Sequence, residues 1–164
     1  MTYTYRAATL DDAEILRNLL HASYAENLQY GVHFDATTVT LQQVQAHLIY
    51  NLCYFLEDDG VVLSTVSLRM PWGPNPGPCP VPHIGWFASL PNSGKKGIGS
   101  ALLEWLETTI LKEQLKVPYV TLGTADSHPW LGTMYEKKGY VKFGQKDLGK
   151  GHLTNYYKKN ILEA

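Results

Sequence analysis

The sequence has almost no excess of charge, few cysteines and no long apolar run. Its 14 Lys and Arg residues against 15 Asp and Glu leave a formal charge of -1, which argues against binding nucleic acid or an anionic membrane through overall charge. The two cysteines, Cys53 and Cys79, match no zinc spacing and no disulfide framework, so we expect reduced thiols and no metal site. No segment approaches the ~20 apolar residues of a membrane span, and the first residues show no signal-peptide pattern. These features predict a soluble, cytoplasmic protein without nucleic-acid or membrane partners.

The length and composition are those of one ordinary globular domain. With 164 residues, 45% hydrophobic and 18% charged, the chain can bury a core without disulfides. The segment "PWGPNPGPCPVP", Pro71–Pro82, holds six of the nine prolines. These exclude a helix or strand there, because proline lacks a donor and fixes φ. Too little chain lies on either side for two domains, so we interpret this segment as a stiff surface loop within a single domain, residues 1–164.

The order of helical and strand patterns predicts an α/β fold. Thr9 with Asp12 and Thr40 with Gln43 have the spacing of capping boxes in front of two helices. An Asp-Asp-Gly turn ending at Gly60 joins two strands as a hairpin. Over the whole chain the patterns run strand, two helices, three strands, helix, strand, helix and two strands. This order favours layers of helices on a mixed sheet.

The stretch "SGKKGIGSALLEWLETTI", Ser93–Ile110, places a flexible basic loop directly before an amphipathic helix. Such a loop in a nearly neutral chain indicates a small anionic ligand, and three phosphate-binding patterns compete for it. A Walker loop needs a lysine where Ser100 stands, and a Rossmann fingerprint needs a third glycine where Leu102 stands. The remaining pattern is the pyrophosphate loop of coenzyme A enzymes.

Two segments of the chain resemble the signatures of the GNAT acetyltransferase superfamily. "GKKGIG", Gly94–Gly99, matches both glycine positions of (Q/R)-x-x-G-x-(G/A) and departs from the pattern at Gly94. "YEKKGYVKFG", Tyr135–Gly144, resembles the later signature, in which a helix carries a Tyr and ends in Lys-x-Gly-aromatic. The order of elements is also similar from residue 3 to residue 158. The resemblance implies the GNAT fold, with a mixed, mostly antiparallel central sheet flanked by helices, and an acetyl-CoA-dependent N-acetyltransferase.

A helix N-terminus preceded by glycines has the chemistry to hold a pyrophosphate. Its unpaired N–H groups carry partial positive charge. Gly97 and Gly99 would let the backbone approach the phosphates, and Lys95 and Lys96 would add charged contacts. The alternative is a glycine-rich turn with solvated lysines. Behind the loop, the helical spacing predicts a core stripe: Ile98, Leu102, Leu103, Leu106 and Ile110, with Trp105 beside it.

The resemblance implies the remaining cofactor and acid residues. In the family, backbone groups of the fourth strand hold the pantetheine arm and the acetyl carbonyl, and these correspond here to Phe87, Ala88 and Ser89. The tyrosine of the later signature is the usual acid and corresponds to Tyr135, and His128 stands where a cofactor-contacting Asn is common. The cofactor contacts implied for the loop are Gly94, Lys95, Lys96, Gly97, Ile98, Gly99 and Ser100.

The general base has to come from outside these signatures. The fourth strand, "VPHIGWFASL", contains no carboxylate, and His83 is the side chain on it whose pKa is ordinarily near neutrality. We therefore predict His83 as the base. Glu57 on the neighbouring strand and a chain of water molecules are the alternatives.

The segments that border the acceptor in this family are aromatic and weakly charged here. They contribute Tyr24, Tyr30, His33, Phe34 and Trp72, which does not resemble an acidic trough for a polyamine. We expect the acceptor to be a primary amine of a small molecule or a peptide, which attacks the thioester directly without a cysteine intermediate. A non-catalytic coenzyme A-binding module is the alternative. Homodimers are frequent among enzymes of this fold.

Overall fold

A computed structural model describes residues 3–24, 39–91, 96–127, 129–149 and 151–162. Within these ranges no helix is both long and apolar enough to cross a membrane. The predicted order of strands and helices is confirmed throughout. The elements are β1 Thr4–Ala7, α1 Ala13–Tyr24, α2 Leu41–Tyr50, β2 Leu52–Asp58, β3 Val61–Arg69, β4 His83–Ser89, α3 Ile98–Trp105, β5 Tyr119–Ala125, α4 Pro129–Lys137, β6 Val141–Asp147 and β7 Leu153–Asn160.

Two of the helices are extended by tighter or wider turns. A 3₁₀ turn, Leu10–Asp12, leads into α1, and a π-helix, Leu106–Gln114, continues α3. The predicted cap at Thr40 is confirmed, because Thr40 and Gln43 exchange backbone-to-side-chain hydrogen bonds of 2.9 and 3.2 Å. Sequence spacing therefore located these helix starts correctly.

The seven strands form one sheet in the order β1-β2-β3-β4-β5-β7-β6. The neighbours β4 and β5 run parallel, and the other five neighbouring pairs are antiparallel. The β2–β3 hairpin turns at Asp59 and Gly60, whose φ values of 52° and 79° are those of a tight two-residue turn. This is the mixed, mostly antiparallel sheet that the resemblance implied.

A β-bulge lies in the middle of β4. The register between β3 and β4 shifts here, so that Trp86 and Phe87 of β4 stand opposite the single residue Val66 of β3. Trp86 has φ of 45°, which a bulky residue adopts only where the surrounding structure requires it. A bulge bends its strand and interrupts the regular ladder, so β4 changes direction at Trp86.

The parallel strands β4 and β5 pair only at their beginnings. In this part of the chain, which is fully described, the register contains two pairs, His83 with Thr121 and Ile84 with Leu122. Beyond them the two strands separate. The second half of β4, which includes Phe87, therefore presents backbone groups towards a gap that β5 does not fill. We call this gap the β4–β5 opening.

The sheet buries a hydrophobic core on each face. One face packs against α3, the π-helix and α4, and the predicted core stripe of α3 is confirmed there, with Leu102 and Leu106 fully buried. Trp105 stacks on Tyr5 of β1 with ring centroids 5.0 Å apart. The other face packs against α1 and α2 through a smaller cluster of buried residues: Ala13, Leu16, Leu20, Val39, Val44, Cys53, Phe55 and Ala88.

Candidate active site

Gly97 forms the N-cap of α3 in a left-handed conformation, with φ of 74° and ψ of 12°. Its carbonyl accepts the first helical hydrogen bond from the Ala101 N–H at 3.0 Å. Any other L-residue would cost about 1 kcal/mol in this conformation. A Cβ built on Gly97 would meet no described atom within 4 Å. Glycine is therefore required here by the backbone, and none of the described residues fills the space beside it.

Gly99 has a different reason to be small. A Cβ on Gly99 would lie 3.4 Å from Cζ of Phe87 and 3.5 Å from Oγ of Ser89. Both are ordinary van der Waals contacts, and Gly99 has ordinary helical dihedral angles, so alanine would fit. This gives a physical reason why the signature pattern has glycine at the first of these positions and allows glycine or alanine at the second. The close approach of Gly99 to Phe87 and Ser89 also packs the start of α3 against the end of β4.

Two lysines lie at this helix start. Lys96 is exposed, and the Nζ of Lys138 donates a hydrogen bond of 2.7 Å to Oγ of Ser100 in the first turn of α3. Lys138 comes from the segment after α4, and sequence reasoning missed its role, although it is the second lysine of the "YEKKG" motif. Gly94 and Lys95, also predicted to contact the cofactor, lie outside the described residues. Ile98, another predicted contact, is buried in the core.

Two serine side chains hold the end of β4 in place. Oγ of Ser64, fully buried on β3, donates to the carbonyl of Ala88 at 2.9 Å and lies 2.9 Å from Oγ of Ser89. Oγ of Ser23 on α1 donates to the carbonyl of Ser89 at 2.6 Å. These bonds orient the backbone of the strand that borders the β4–β5 opening. Neither serine carried a recognisable signal in the sequence.

Tyr135 lies on α4, on the same side of the sheet as α3. Its side chain is 7% exposed and packs edge-on against the ring of Tyr140, with centroids 5.6 Å apart. The hydroxyl of Tyr140 in turn donates to Oε2 of Glu107 at 2.7 Å. Burial raises the pKa of Tyr135 above its ordinary value of 10.0. The hydroxyl of Tyr135 is therefore protonated at neutral pH, as a proton donor must be.

His83 begins β4 on the opposite face of the sheet and is buried. Its Nδ1 shares a hydrogen bond of 2.7 Å with Oγ1 of Thr121. The loop before β4 packs onto the ring so closely that a Cβ on Gly77 would lie 2.6 Å from it. Burial, followed by the positive charge of Arg69, lowers the pKa of His83 from 6.5 to about 3. The imidazole is therefore neutral at physiological pH and has a low affinity for a proton.

His47 of α2 is a second buried, neutral histidine on this face. Its Nε2 shares a hydrogen bond of 2.8 Å with Oγ of Ser67, and its ring stacks on Trp86 with centroids 3.8 Å apart. Burial, followed by the charge of Arg69, lowers its pKa to about 4. The stacking supports the strained backbone of Trp86 at the bulge. Sequence reasoning missed both His47 and Arg69, since nothing local connects them to the bulge.

Gly85 leaves this face open beside the two histidines. Gly85 follows His83 by two residues and Gly123 follows Thr121 by two, so all four positions lie on one face. A Cβ on Gly85 would meet no described atom within 4 Å, whereas a Cβ on Gly123, which is exposed, would lie 2.9 Å from Cγ2 of Thr154 and 3.6 Å from the ring of Tyr156. We call the surface around Gly85 and Gly123 the glycine groove. It reaches the β4–β5 opening from the side opposite to α3.

Several of the predicted site residues lie outside the described residues. They are His128, predicted to contact the cofactor, and the predicted acceptor residues Tyr30, His33, Phe34 and the side chain of Tyr24. Trp72, in the proline-rich loop, is 77% exposed. The aromatic character predicted for the acceptor side therefore stays a prediction.

The cysteines have surroundings that do not favour nucleophilic catalysis. Cys53 is buried, its Sγ lies 3.4 Å from Oγ1 of Thr65, and burial raises its pKa. Cys79 is a half-buried free thiol in the proline-rich loop. Within the ranges given above, no group of three or more His, Cys, Asp and Glu residues is arranged to hold a metal ion.

Comparison with known proteins places the chain in a family. Residues 15–140 match the acetyltransferase (GNAT) family. The chain is 54% identical to the S-(2-succino)cysteine N-acetyltransferase of Bacillus subtilis (strain 168) over 96% of its length and 95% of the relative's. It is 37% identical to the S-alkylcysteine N-acetyltransferase of the same organism, over 88% and 83% of the two lengths.

Solved structures agree on the fold. An N-acetyltransferase from Staphylococcus aureus Mu50 superimposes with a TM-score of 0.76 at 11% identity, over 99% of this chain and 100% of that one. The ribosomal-protein-S18-alanine N-acetyltransferase from Escherichia coli gives 0.74 at 15% identity, over 99% and 96%. With the two signatures, the sheet opening and the relatives named above, the chain belongs to the GNAT family of acetyltransferases and is an N-acetyltransferase.

Proposed function

We propose that this enzyme transfers the acetyl group of acetyl-CoA to the α-amino group of an S-substituted cysteine. The observation that carries the proposal is the high identity over nearly the whole chain to two enzymes whose names share this acceptor class. The acceptor is then a small amino acid rather than a polyamine or a peptide. A non-catalytic coenzyme A-binding module is not favoured, because both relatives are named as enzymes.

The start of α3 fits the pyrophosphate of coenzyme A. Three features meet at this helix start. The backbone at Gly97 carries no side chain, the first N–H groups of the helix are unpaired, and Lys96 and Lys138 add positive charge. Anions bind readily at such a helix N-terminus, and cations beside it strengthen the contact. The predicted contacts of Gly94, Lys95, Gly99, Ser100 and His128 belong to the same proposal.

The β4–β5 opening fits the pantetheine arm and the acetyl group. Backbone groups of Phe87, Ala88 and Ser89 border the gap, and Ser64 and Ser23 hold that backbone by their hydrogen bonds. A donor that is fixed in advance can polarise a carbonyl without reorganising during the reaction. Acetyl-CoA supplies the acetyl group as an activated thioester.

The glycine groove provides the acceptor with its own approach to the same gap. The amine would reach the thioester from the α1 and α2 face, while the cofactor would enter past α3. Two separate approaches allow both reactants to be bound together, which direct attack requires. The burial of Cys53 also supports transfer without an acyl-enzyme.

Proton transfer is assigned to Tyr135 and His83. Tyr135 donates its proton to the departing thiolate, and its raised pKa keeps the hydroxyl protonated at neutral pH while making it a weaker acid. His83, if Nδ1 donates to Thr121, presents the lone pair of Nε2 as an acceptor. Because burial keeps its pKa low, His83 is a weak base, which favours the alternative in which a chain of water molecules takes the proton.

The acceptor class can be tested by following free coenzyme A thiol with a panel of amines. The panel contains S-(2-succino)cysteine, S-methylcysteine, spermidine and an alanine-initiated peptide. We expect thiol release in step with the two cysteine thioethers, with mass spectrometry locating the acetyl group on nitrogen. Release with spermidine or the peptide alone would overturn the proposed acceptor. Tight acetyl-CoA binding without release for any amine would favour the non-catalytic module.

A further inference from the structure

Arg69 lies at the edge of the glycine groove. It is paired with His83 across β3 and β4, and His83 is paired with Thr121 on β5. Residues that are directly paired project from the same face of a sheet. The three side chains therefore form one row across the face. In the next row the position above Gly85 is open, and the position above Gly123 is bordered by Thr154 and Tyr156.

The guanidinium of Arg69 carries a permanent positive charge at one end of this row. Burial, followed by this charge, lowers the pKa of both His47 and His83, and the pairing of Arg69 with His83 places the charge at this end of the row. Both imidazoles are neutral, and Thr121 and Ser67 contribute hydroxyls. Lys158, at the far end of the row, extends instead over the rings of Tyr119 and Phe143, at 5.9 and 5.7 Å.

The position of Arg69 along the strand selects which part of an acceptor it can reach. Arg69 stands opposite His83, four residues before Phe87, where the acetyl group is proposed to lie. At ~3.3 Å per residue these levels are roughly 10 Å apart, allowing for the bulge. The α-carboxylate is attached to the carbon that bears the amine, so it stays beside the acetyl group. A carboxylate on the sulfur substituent extends several bonds further along the groove.

We propose that Arg69 binds a carboxylate on the S-substituent of the acceptor and thereby selects carboxylated cysteine thioethers over alkyl ones. The proposal rests on the acceptor class proposed above. Arginine suits the task because its planar guanidinium donates two parallel hydrogen bonds to a carboxylate. An ion pair between Arg69 and the carboxylate of the substituent, partly desolvated at the edge of the groove, would hold the acceptor with its amine towards the β4–β5 opening.

The test compares an acceptor that carries carboxylates on its S-substituent with one that carries none. Wild type, Arg69→Gln, Arg69→Lys and the control Arg17→Gln are assayed with S-(2-succino)cysteine and S-methylcysteine. Arg17 is a suitable control because its guanidinium bonds the side chain of its neighbour Asn18 on α1. Arg69→Gln should raise KM for S-(2-succino)cysteine on the order of 10- to 100-fold. S-methylcysteine should change less than about twofold, and Arg69→Lys should recover part of the loss.

Equal losses with both acceptors, in a variant with unchanged Tm and acetyl-CoA affinity, would assign Arg69 to the shared α-carboxylate and overturn the proposal. No loss with either acceptor would overturn it too. If Arg69→Gln does not fold, the test uses the wild type alone. Its kcat/KM is compared for S-carboxymethylcysteine and for the isosteric amide, S-carbamoylmethylcysteine. The carboxylate should be preferred about tenfold, and the preference should shrink with salt; equal rates would contradict the proposal.

A separate binding measurement tests the role of Arg69 independently of the proposed acceptor class. Calorimetry with 2-(methylthio)succinate, added to protein already saturated with coenzyme A, examines the substituent without any amine. Binding to wild type but not to Arg69→Gln supports the carboxylate site even if no cysteine thioether is acetylated. Failure to bind wild type, together with turnover of S-methylcysteine, would leave the proposed function standing and remove the role of Arg69.

Discussion

The Nζ of Lys138 donates a hydrogen bond of 2.7 Å to Oγ of Ser100, and this contact joins the segment after α4 to the first turn of α3. The two signature segments of the sequence thus meet at one point. Because Ser100 lies one turn from Gly97, the ammonium group is held beside the helix N-terminus. A basic side chain in this place should act on an anionic ligand.

Replacing Lys138 by Ala should weaken coenzyme A binding by roughly three- to tenfold at low salt, because a partly exposed ionic contact is lost. The difference from wild type should shrink as salt rises. Calorimetry at two salt concentrations measures it. The neighbouring exposed residue Lys137, changed to Ala, is the control. Equal effects of the two variants would mean that only general charge matters.

The two signature glycines should respond differently to the same substitution. Gly97→Ala should lower the free energy of unfolding by about 1 kcal/mol, because of its positive φ, and should weaken coenzyme A binding more than tenfold. Gly99→Ala should bind nearly as wild type, since its Cβ meets only ordinary contacts. Urea unfolding and calorimetry on both variants check this. Unchanged affinity in a folded Gly97→Ala protein would remove the pyrophosphate assignment.

Filling the glycine groove should block the acceptor alone. Gly85→Val introduces a side chain whose Cβ would meet no described atom within 4 Å, on a central strand where β-branched residues are favoured. We expect unchanged or higher stability, unchanged acetyl-CoA affinity and a KM for the acceptor raised at least tenfold. Steady-state kinetics with a thermal melt separate these effects. A normal acceptor KM would show that the amine approaches elsewhere.

The hydroxyl of Tyr135 should be needed for turnover and not for folding. Tyr135→Phe keeps the buried ring and should reduce kcat by ~10² to 10⁴-fold. Because burial raises the pKa of Tyr135, the alkaline loss of wild-type activity should begin above pH 10, if the protein is still folded there. Tyr140→Phe is the matched control: it breaks the bond to Glu107 and should cost stability, about 1 to 3 kcal/mol, rather than turnover. A wild-type rate for Tyr135→Phe would contradict its role as the acid.

The two buried histidines should make the fold sensitive to mild acid. Their folded pKa values, about 4 for His47 and about 3 for His83, lie below the unfolded value of 6.5. Between these limits the unfolded chain binds more protons, so stability is full above pH 6.5 and falls as the pH is lowered. Each histidine contributes a slope of about 1.4 kcal/mol per pH unit.

Urea unfolding between pH 7 and pH 4.5 measures this slope. His47→Gln, which keeps an amide near Ser67, should remove about half of it. Asp12 contributes little in this range, since both its ordinary pKa of 3.8 and its folded pKa of about 2, lowered by Arg6, lie below pH 4.5. A slope that is the same in wild type and His47→Gln would show that His47 is not buried in its neutral form.

The sequence predicted the parts of the fold that depend on local patterns. The cap at Thr40, the turn at Gly60 and the buried stripe of α3 each follow from residues close together in the chain. The register shift that places two β4 residues opposite Val66 has no such local signal, because it is set by packing between strands.

The same distinction applies to the candidate site. Gly97 and Tyr135 lie in recognisable motifs, so their positions could be predicted. The approach of Arg69 to His83 depends on strand register, and the stacking of His47 on Trp86 depends on how α2 packs across the sheet. These contacts join residues far apart in the chain, and a single sequence contains no pattern that reports them.

The short pairing between β4 and β5 makes the sheet nearly two smaller sheets, one of four strands and one of three. They share a seam of two residue pairs, His83 with Thr121 and Ile84 with Leu122. A ligand in the β4–β5 opening would contact both halves and complete the seam with its own polar groups. Binding should therefore slow amide hydrogen exchange along both strands and make the halves unfold together. The gap between β4 and β5 that admits the reactants therefore also makes the coupling between the two halves of the sheet depend on whether a ligand is bound.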